Sequence, residues 1–88
     1  MLKIQRTTER EGVVLAVCGR LDTENVGELR ESLDAIAVGA AVVLDLTDLL
    51  LVDRDVIRLL REWEGRRHIV FRNCPAYIRA WMAADDLL

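Results

Sequence analysis

Val42-Val43-Leu44-Asp45-Leu46-Thr47-Asp48-Leu49-Leu50-Leu51-Val52-Asp53 is the stretch on which the reading of the fold turns. From Ala41 to Leu46 it is a short, almost unbroken apolar run, the pattern of a strand buried on both faces. After Asp53, placed as an N-cap, Val56, Leu59, Leu60 and Trp63 recur at helical spacing, and Gly65 closes the helix. His68-Ile69-Val70-Phe71-Arg72 then reads as another short strand. Strand, helix and strand make a βαβ unit, which implies parallel pairing.

The same pattern extends toward both ends. Leu2-Lys3-Ile4-Gln5-Arg6 alternates apolar and polar residues, Glu9-Arg10-Glu11-Gly12 is a polar turn, and Val13 to Cys18 is an apolar strand, so the pair reads as a β-hairpin. Gly19-Arg20-Leu21-Asp22-Thr23 breaks the run, with Asp22 and Thr23 as N-cap candidates. Val26, Leu29, Leu33 and Ile36 form one helical stripe that Gly39 ends. Pro75 suits the first turn of a last helix, whose stripe is Ile78, Trp81 and Met82. The expected order is β-β-α-β-α-β-α, an α/β domain with a four-stranded, mostly parallel sheet and three helices.

Right-handed crossovers between neighbouring strands put both crossover helices on one face. The other face is then left without a helix, although Val13 to Cys18 and much of Ala41 to Leu46 are apolar at both alternating positions. Two readings stand. Either self-association or a partner shields an apolar patch there, or the strands are merely central and the patch is small.

Composition narrows the function. The 88 residues suit one domain, 1–88, and the net charge of −3 with a pI near 5.1 argues against nucleic acid as the main ligand. No apolar run is long enough for a transmembrane segment, and Met1 to Arg6 has no signal-peptide character, so a cytoplasmic setting with reduced thiols is expected. Cys18, Cys74 and the single His68 are too few for a zinc site. Cys74, before Pro75 at a helix start, is at a position that can lower a thiol's pKa, though it reads more simply as a small buried residue. No phosphate loop, dinucleotide fingerprint, nucleophile elbow or paired-carboxylate arrangement is readable, so neither enzyme activity nor a cofactor is expected.

With Gly19-Arg20-Leu21-Asp22 before the first helix and Val42 to Asp53 before the second, the chain resembles a STAS domain over essentially its whole length. That family includes bacterial anti-sigma-factor antagonists and the cytoplasmic tails of anion transporters, and its element order is the one read above. In the antagonists a Ser in an Asp-Ser-Ser-Gly motif, at the start of the helix after the buried strand, is phosphorylated. By the resemblance, Asp53 matches the Asp, Arg54 the acceptor Ser, Asp55 the second Ser and Val56 the Gly. The hydroxyl is gone, and Ser32, the only serine, lies within the first helix.

The resemblance implies a regulatory, protein-binding module in bacterial signalling and transcription control. Its partner would be an anti-sigma factor of kinase-like fold. The alternatives are an accessory subunit bound to a transporter component, or a homo-oligomeric scaffold such as a homodimer.

Both Asp22-Thr23-Glu24-Asn25 and Asp53-Arg54-Asp55 are expected at C-terminal ends of parallel strands, where α/β sheets place ligands, and so to form one contact surface. Arg54 opposes the helix dipole, so helix stability does not explain it. It faces a partner or is an exposed arginine without a role. Arg58 and Arg61 continue its helical face, with Arg66 and Arg67 close by. Thr47 is a candidate phospho-acceptor; its alternative reading is a turn threonine bonded to its own backbone.

Overall fold

An antiparallel hairpin, β1 (Leu2–Glu9) and β2 (Gly12–Leu21), starts the chain, followed by α1 (Val26–Asp34), β3 (Val42–Asp45), β4 (Leu49–Val52), α2 (Arg54–Arg66), β5 (Ile69–Arg72) and α3 (Ala76–Asp86). The computed structural model describes residues 1–10, 12–37, 39–66 and 68–86, with 85 and 86 in backbone only. Glu11 and Arg67 of the sequence reading lie outside the described residues.

The strands form one mixed sheet in the order β1-β2-β3-β5, with β4 beside β2 off this path. Only β1 and β2 are antiparallel; β2–β3, β2–β4 and β3–β5 are parallel. The α/β class and the parallel character stand as expected, with five strands instead of four. The added strand, β4, has a simple origin. β2 pairs with β3 through Val13 to Ala16 and with β4 through Gly19 to Leu21. β3 and β4 thus lie end to end along one edge of a ten-residue β2, separated by the turn at residues 46–48. A register shift between Gly19 and Arg20 accommodates the break.

A single core joins the three helices to one sheet face. Leu15, Val17, Leu21, Val42, Leu44, Leu46 and Ile69 pack with Leu29 and Leu33 of α1, Val56, Ile57 and Leu60 of α2, and Ile78 and Met82 of α3. The helices therefore share one face. Ile57 belongs to this core in addition to the helical stripe read from the sequence, whereas Leu59 is only half-buried. Trp63 packs at the margin of the core.

Trp81 is a correction. It is 41% exposed and stands edge-on to Tyr77, with ring centroids 5.8 Å apart, rather than entering the core. Buried neighbours in a helix recur at i and i+4, so Ile78 and Met82 leave Trp81 on the flank. The first helix also ends earlier than Gly39 implied. After Asp34 the chain tightens, with the Ile36 N–H donating to the Leu33 carbonyl at 3.0 Å, while Ile36 itself remains buried.

The face without helices is covered differently. Alternation puts Thr7, Val14, Val43 and Val70 there in one row, and Gln5, Ala16, Asp45 and Arg72 in the next. Glu9, paired with Gly12, lies on the other side of the valine row. Arg72 donates to Asp45 beside it at 3.1 Å and to Glu9 at 3.4 Å, so its guanidinium crosses the row. Val14 and Val43 are 2% and 6% exposed, and of the three valines in that row only Val70 stays open. The apolar surface along this row is small, while Lys3 and Cys18 of the same face line another cavity with Met1 and the exposed Leu50.

Candidate functional site

Two polar surfaces lie at the C-terminal ends of the parallel strands. The first follows directly from the pairing of Leu21 with Val52, which brings the β2–α1 loop against the start of α2. The Asp53 N–H donates to the Leu21 carbonyl at 3.2 Å. Arg20, Asp22, Thr23, Glu24 and Asp53 line one shallow cavity of about 280 Å³. Three carboxylates face one guanidinium, an arrangement suited to a basic group on a partner.

The side chains within this surface divide their work. The Asp22 carboxylate accepts from the backbone N–H of Glu24 at 3.0 Å and of Asn25 at 3.1 Å. The Asn25 side-chain oxygen accepts from the Asp22 N–H at 2.8 Å, and its amide donates to the Arg20 carbonyl at 2.8 Å. These bonds brace the loop against itself. Thr23 and Glu24 are exposed and remain available to a partner. The helix cap differs from the sequence reading: Asn25, not Asp22 or Thr23, occupies the N-cap position of α1, without a side-chain capping bond. Its side chain is committed to the loop instead.

Asp53 immediately precedes α2, and its carbonyl accepts from the Ile57 N–H at 3.1 Å, as an N-cap residue's does. Arg54, Asp55 and Arg58 are exposed on the first turns of α2. Arg61 instead turns partly inward, lining a cavity with residues of β5 and α3, and Arg66 pairs with Glu62 at 2.8 Å. The arginines read as one helical face thus serve different surroundings.

The second surface was only partly visible in the sequence, through Thr47. The Thr47 hydroxyl donates to Asp45 at 2.6 Å, and the Thr47 N–H donates to the same carboxylate oxygen at 3.0 Å. The Asn73 amide donates to the Thr47 oxygen at 2.8 Å. Asn73 reaches it from a left-handed backbone, φ 57°, which Asn tolerates. Thr47 is therefore a turn residue bonded back onto the strand that precedes it, through both its backbone and its hydroxyl.

Asp45, Arg72 and Asn73 carried no sequence motif, because strand pairing alone brings residues 45 and 72 side by side. A usable signal was the polar residue ending each of two otherwise apolar parallel strands.

This network holds the Asp45 carboxyl down, at a pKa of about 2. The Thr47 hydroxyl is the largest cause, burial works against it, and the Thr47 N–H, Arg72 and Asn73 reinforce it. A depressed carboxyl stabilises the fold fully above its unfolded value near 3.8 and loses that contribution as pH falls toward 2. Asp45→Asn should therefore lower stability at neutral pH by about 1–2 kcal/mol. It should also flatten the acid dependence between pH 4 and 2, as measured by urea unfolding across that range. An unchanged acid limb in the variant would remove Asp45 as its cause.

Cys74 is half-buried, and burial pushes its thiol up rather than down, with Arg79 opposing. That favours the packing reading over a reactive one.

The structure is similar to that of the anti-sigma factor antagonist SpoIIAA in its unphosphorylated form, with a TM-score of 0.58 and 20% identity over 91% of this chain and 79% of that one. It is also similar to an uncharacterized protein with a SpoIIAA-like fold from Shewanella loihica PV-4, with a TM-score of 0.47 and 14% identity over 98% of this chain and 79% of that one. No curated protein matches the chain. The family described as "Mlab, STAS domain" matches residues 4–87, which takes in both loops of the first surface, the Asp45–Thr47 turn and all three helices. A match of that extent, on a mixed sheet with its helices gathered on one face, makes the chain a member of the STAS domain family.

Proposed function

We propose that this domain is a non-enzymatic regulatory module that docks a protein partner on the surface made by Asp22 to Asn25 and Asp53 to Asp55, with Arg58 at its border. The observation that carries the reading is the shared cavity, in which the β2–α1 loop and Asp53 form one acidic concavity beside exposed Arg54. Such a surface offers opposite charges side by side, which sets orientation and excludes wrong partners more than it adds raw affinity. Asp22 and Asn25 hold the loop's shape, while Thr23, Glu24, Arg54 and Asp55 make the contacts.

Two partner classes follow from family membership. An anti-sigma factor of kinase-like fold would make the domain an antagonist without the usual serine, since Arg54 stands at that position. A component of a membrane transport complex would make it an accessory subunit. The missing hydroxyl favours this second reading, because it removes the acceptor on which the antagonist cycle depends. Among the described residues no helix is long and apolar enough to cross a membrane. We place the domain in the cytoplasm and Thr47 as a hydroxyl at the strand ends that a kinase could address.

The test is a pull-down from the native host with the purified domain, followed by mass spectrometry of the retained proteins. Recovery of an anti-sigma kinase supports the antagonist, and recovery of a transporter component supports the subunit. Recovery of the chain alone supports a homo-oligomeric scaffold. In either heteromeric case the Arg54→Ala/Asp55→Ala double variant should weaken binding about tenfold or more while the far-ultraviolet spectrum is unchanged. Undiminished retention of the partner would move the contact off this surface.

A further inference from the structure

Of the strands at the two ends of the sheet order, β1 is the longer, eight residues against four for β5. It pairs with β2 alone, and from Leu2 to Glu9 the pairing has no bulge. Its phase is fixed by the Arg20 N–H, which donates to the Met1 carbonyl at 2.9 Å. Hydrogen-bonded pairs alternate along an antiparallel hairpin, so Lys3, Gln5, Thr7 and Glu9 turn their backbone groups to β2. Leu2, Ile4, Arg6 and Thr8 turn theirs outward. Among the described residues none of these four has a backbone partner on that side.

Such a row of open N–H and C=O groups is a template for another strand unless it is covered or blocked. No proline interrupts β1, so what restricts its pairing is the charge of Lys3, Arg6 and Glu9.

β1 is its own antiparallel complement. With Gln5 opposite Gln5 of a second copy, every outward residue is matched, Leu2 to Thr8 and Ile4 to Arg6, each pair occurring twice. Lys3 then faces Thr7, and no two like charges stand directly opposed. Sliding one copy by two residues leaves an outward residue of each strand unmatched, and in one direction it sets Arg6 against Arg6. Glu9, which Arg72 already holds, is not needed for the match. Leu2 and Ile4, half-buried at the margin of the core, gain cover from Thr8 and from the aliphatic stem of Arg6.

We infer that two copies of this chain join through β1, antiparallel about a two-fold axis at Gln5, into one continuous sheet. The contact is isologous, each copy giving and receiving the same bonds. The surface at Asp22 and Asp53 takes no part in it. That surface lies beside Arg20, at the Met1 end of β1, so the two copies hold theirs at opposite ends of the joined strands. The joining is independent of what docks there.

The experiment is sedimentation equilibrium of the full chain at concentrations up to about 1 mM. The mass should rise from the 10.0 kDa of one chain toward twice that value. Arg6→Pro removes an outward N–H without touching the bonds to β2, and should weaken association about tenfold or more. Gln5→Cys, in a chain carrying Cys18→Ser and Cys74→Ser, tests the register. Residues opposed between hydrogen-bonded pairs have Cα atoms ~4.5 Å apart, within the span of a disulfide. Gln5→Cys should therefore cross-link two copies on mild oxidation. Thr7→Cys, whose counterparts stand ~14 Å apart across the joined strands, should not. In the unaltered chain, hydrogen exchange at the amides of Ile4, Arg6 and Thr8 should slow about tenfold or more as the dimer forms.

A monomer mass at every concentration up to about 1 mM overturns the inference. So does a dimer undiminished by Arg6→Pro, or one that leaves those three amides unprotected. Equal cross-linking through Thr7→Cys and Gln5→Cys overturns the register. Protection confined to β5, or to Asp22 to Glu24, puts the contact elsewhere and overturns it too. Should Arg6→Pro fail to fold, the two cysteine variants and the exchange of the unaltered chain decide.

Discussion

Leu44→Ala should remove about 2–5 kcal/mol of folding stability, the range for emptying a fully buried leucine site. For 88 residues the whole margin is on the order of 4–13 kcal/mol, so the variant should be largely unfolded at modest urea. The magnitude follows from position. Leu44 is 0% exposed on β3, the strand between β2 and β5, and its register partners are Leu15 and Phe71. Its side chain belongs to the core that joins the sheet to all three helices. Regular pairing on both sides holds the backbone of β3, so the surroundings can only partly collapse into the cavity.

Leu50→Ala is the matched control, because Leu50 is 75% exposed. It should change stability by no more than about 0.5 kcal/mol. Urea unfolding of the two variants measures the contrast, with the midpoint falling for Leu44→Ala at an unchanged slope. Similar midpoints for both would show that the core is not centred on β3.

Gly12→Ala should be nearly as damaging although it adds only one methyl group. Gly12 has φ 133°, a region that residues with a Cβ rarely adopt, and that conformation alone costs about 1–3 kcal/mol when forced. The new Cβ would also press on the Ala41 backbone carbonyl. That carbonyl accepts from the Val13 N–H at 3.1 Å, the first bond joining β2 to the segment that leads into β3. Relief therefore requires moving a sheet hydrogen bond, not a flexible side chain. Gly27→Ala, where nothing stands within 4 Å of the added carbon, should be neutral or slightly stabilising in a helix. Thermal melts of the two variants should differ by roughly 4–8 °C or more, and coincident melts would remove the strain at Gly12.

Much of the architecture was legible because it is written in local periodicity. The runs at Val13 and Val42, the helical spacing from Val26 and Val56, and the Pro75 start all give one answer each, and the right-handed crossover rule puts the helices on one face. β4 was not legible, since Leu49-Leu50-Leu51-Val52 has no alternation, and its pairing depends on how far β2 extends past β3. Trp81 shows the limit of spacing arguments in a short helix, where one apolar residue can belong to either flank.

Of the candidate surface, the meeting of the Asp22 loop with Asp53 could be reasoned from strand ends. The commitment of Asp22 and Asn25 to the loop's own backbone could not, because turn geometry decides which side chains stay free. The Asp45–Arg72 contact joins residues 27 apart and becomes visible only once β3 and β5 are in register.

The reach of Arg72 to Glu9 has a consequence for the order of assembly. It links the first strand to the last, 63 residues away, across a sheet face with no helix over it. Arg72 is positioned only when β5 has paired with β3, so this fastener closes after the hairpin and both crossovers are in place. Interactions made after the rate-limiting step act on the rate of unfolding and leave the rate of folding alone. The bridge thus serves the lifetime of the folded sheet: while it is shut, Val14 and Val43 beneath it are kept from water.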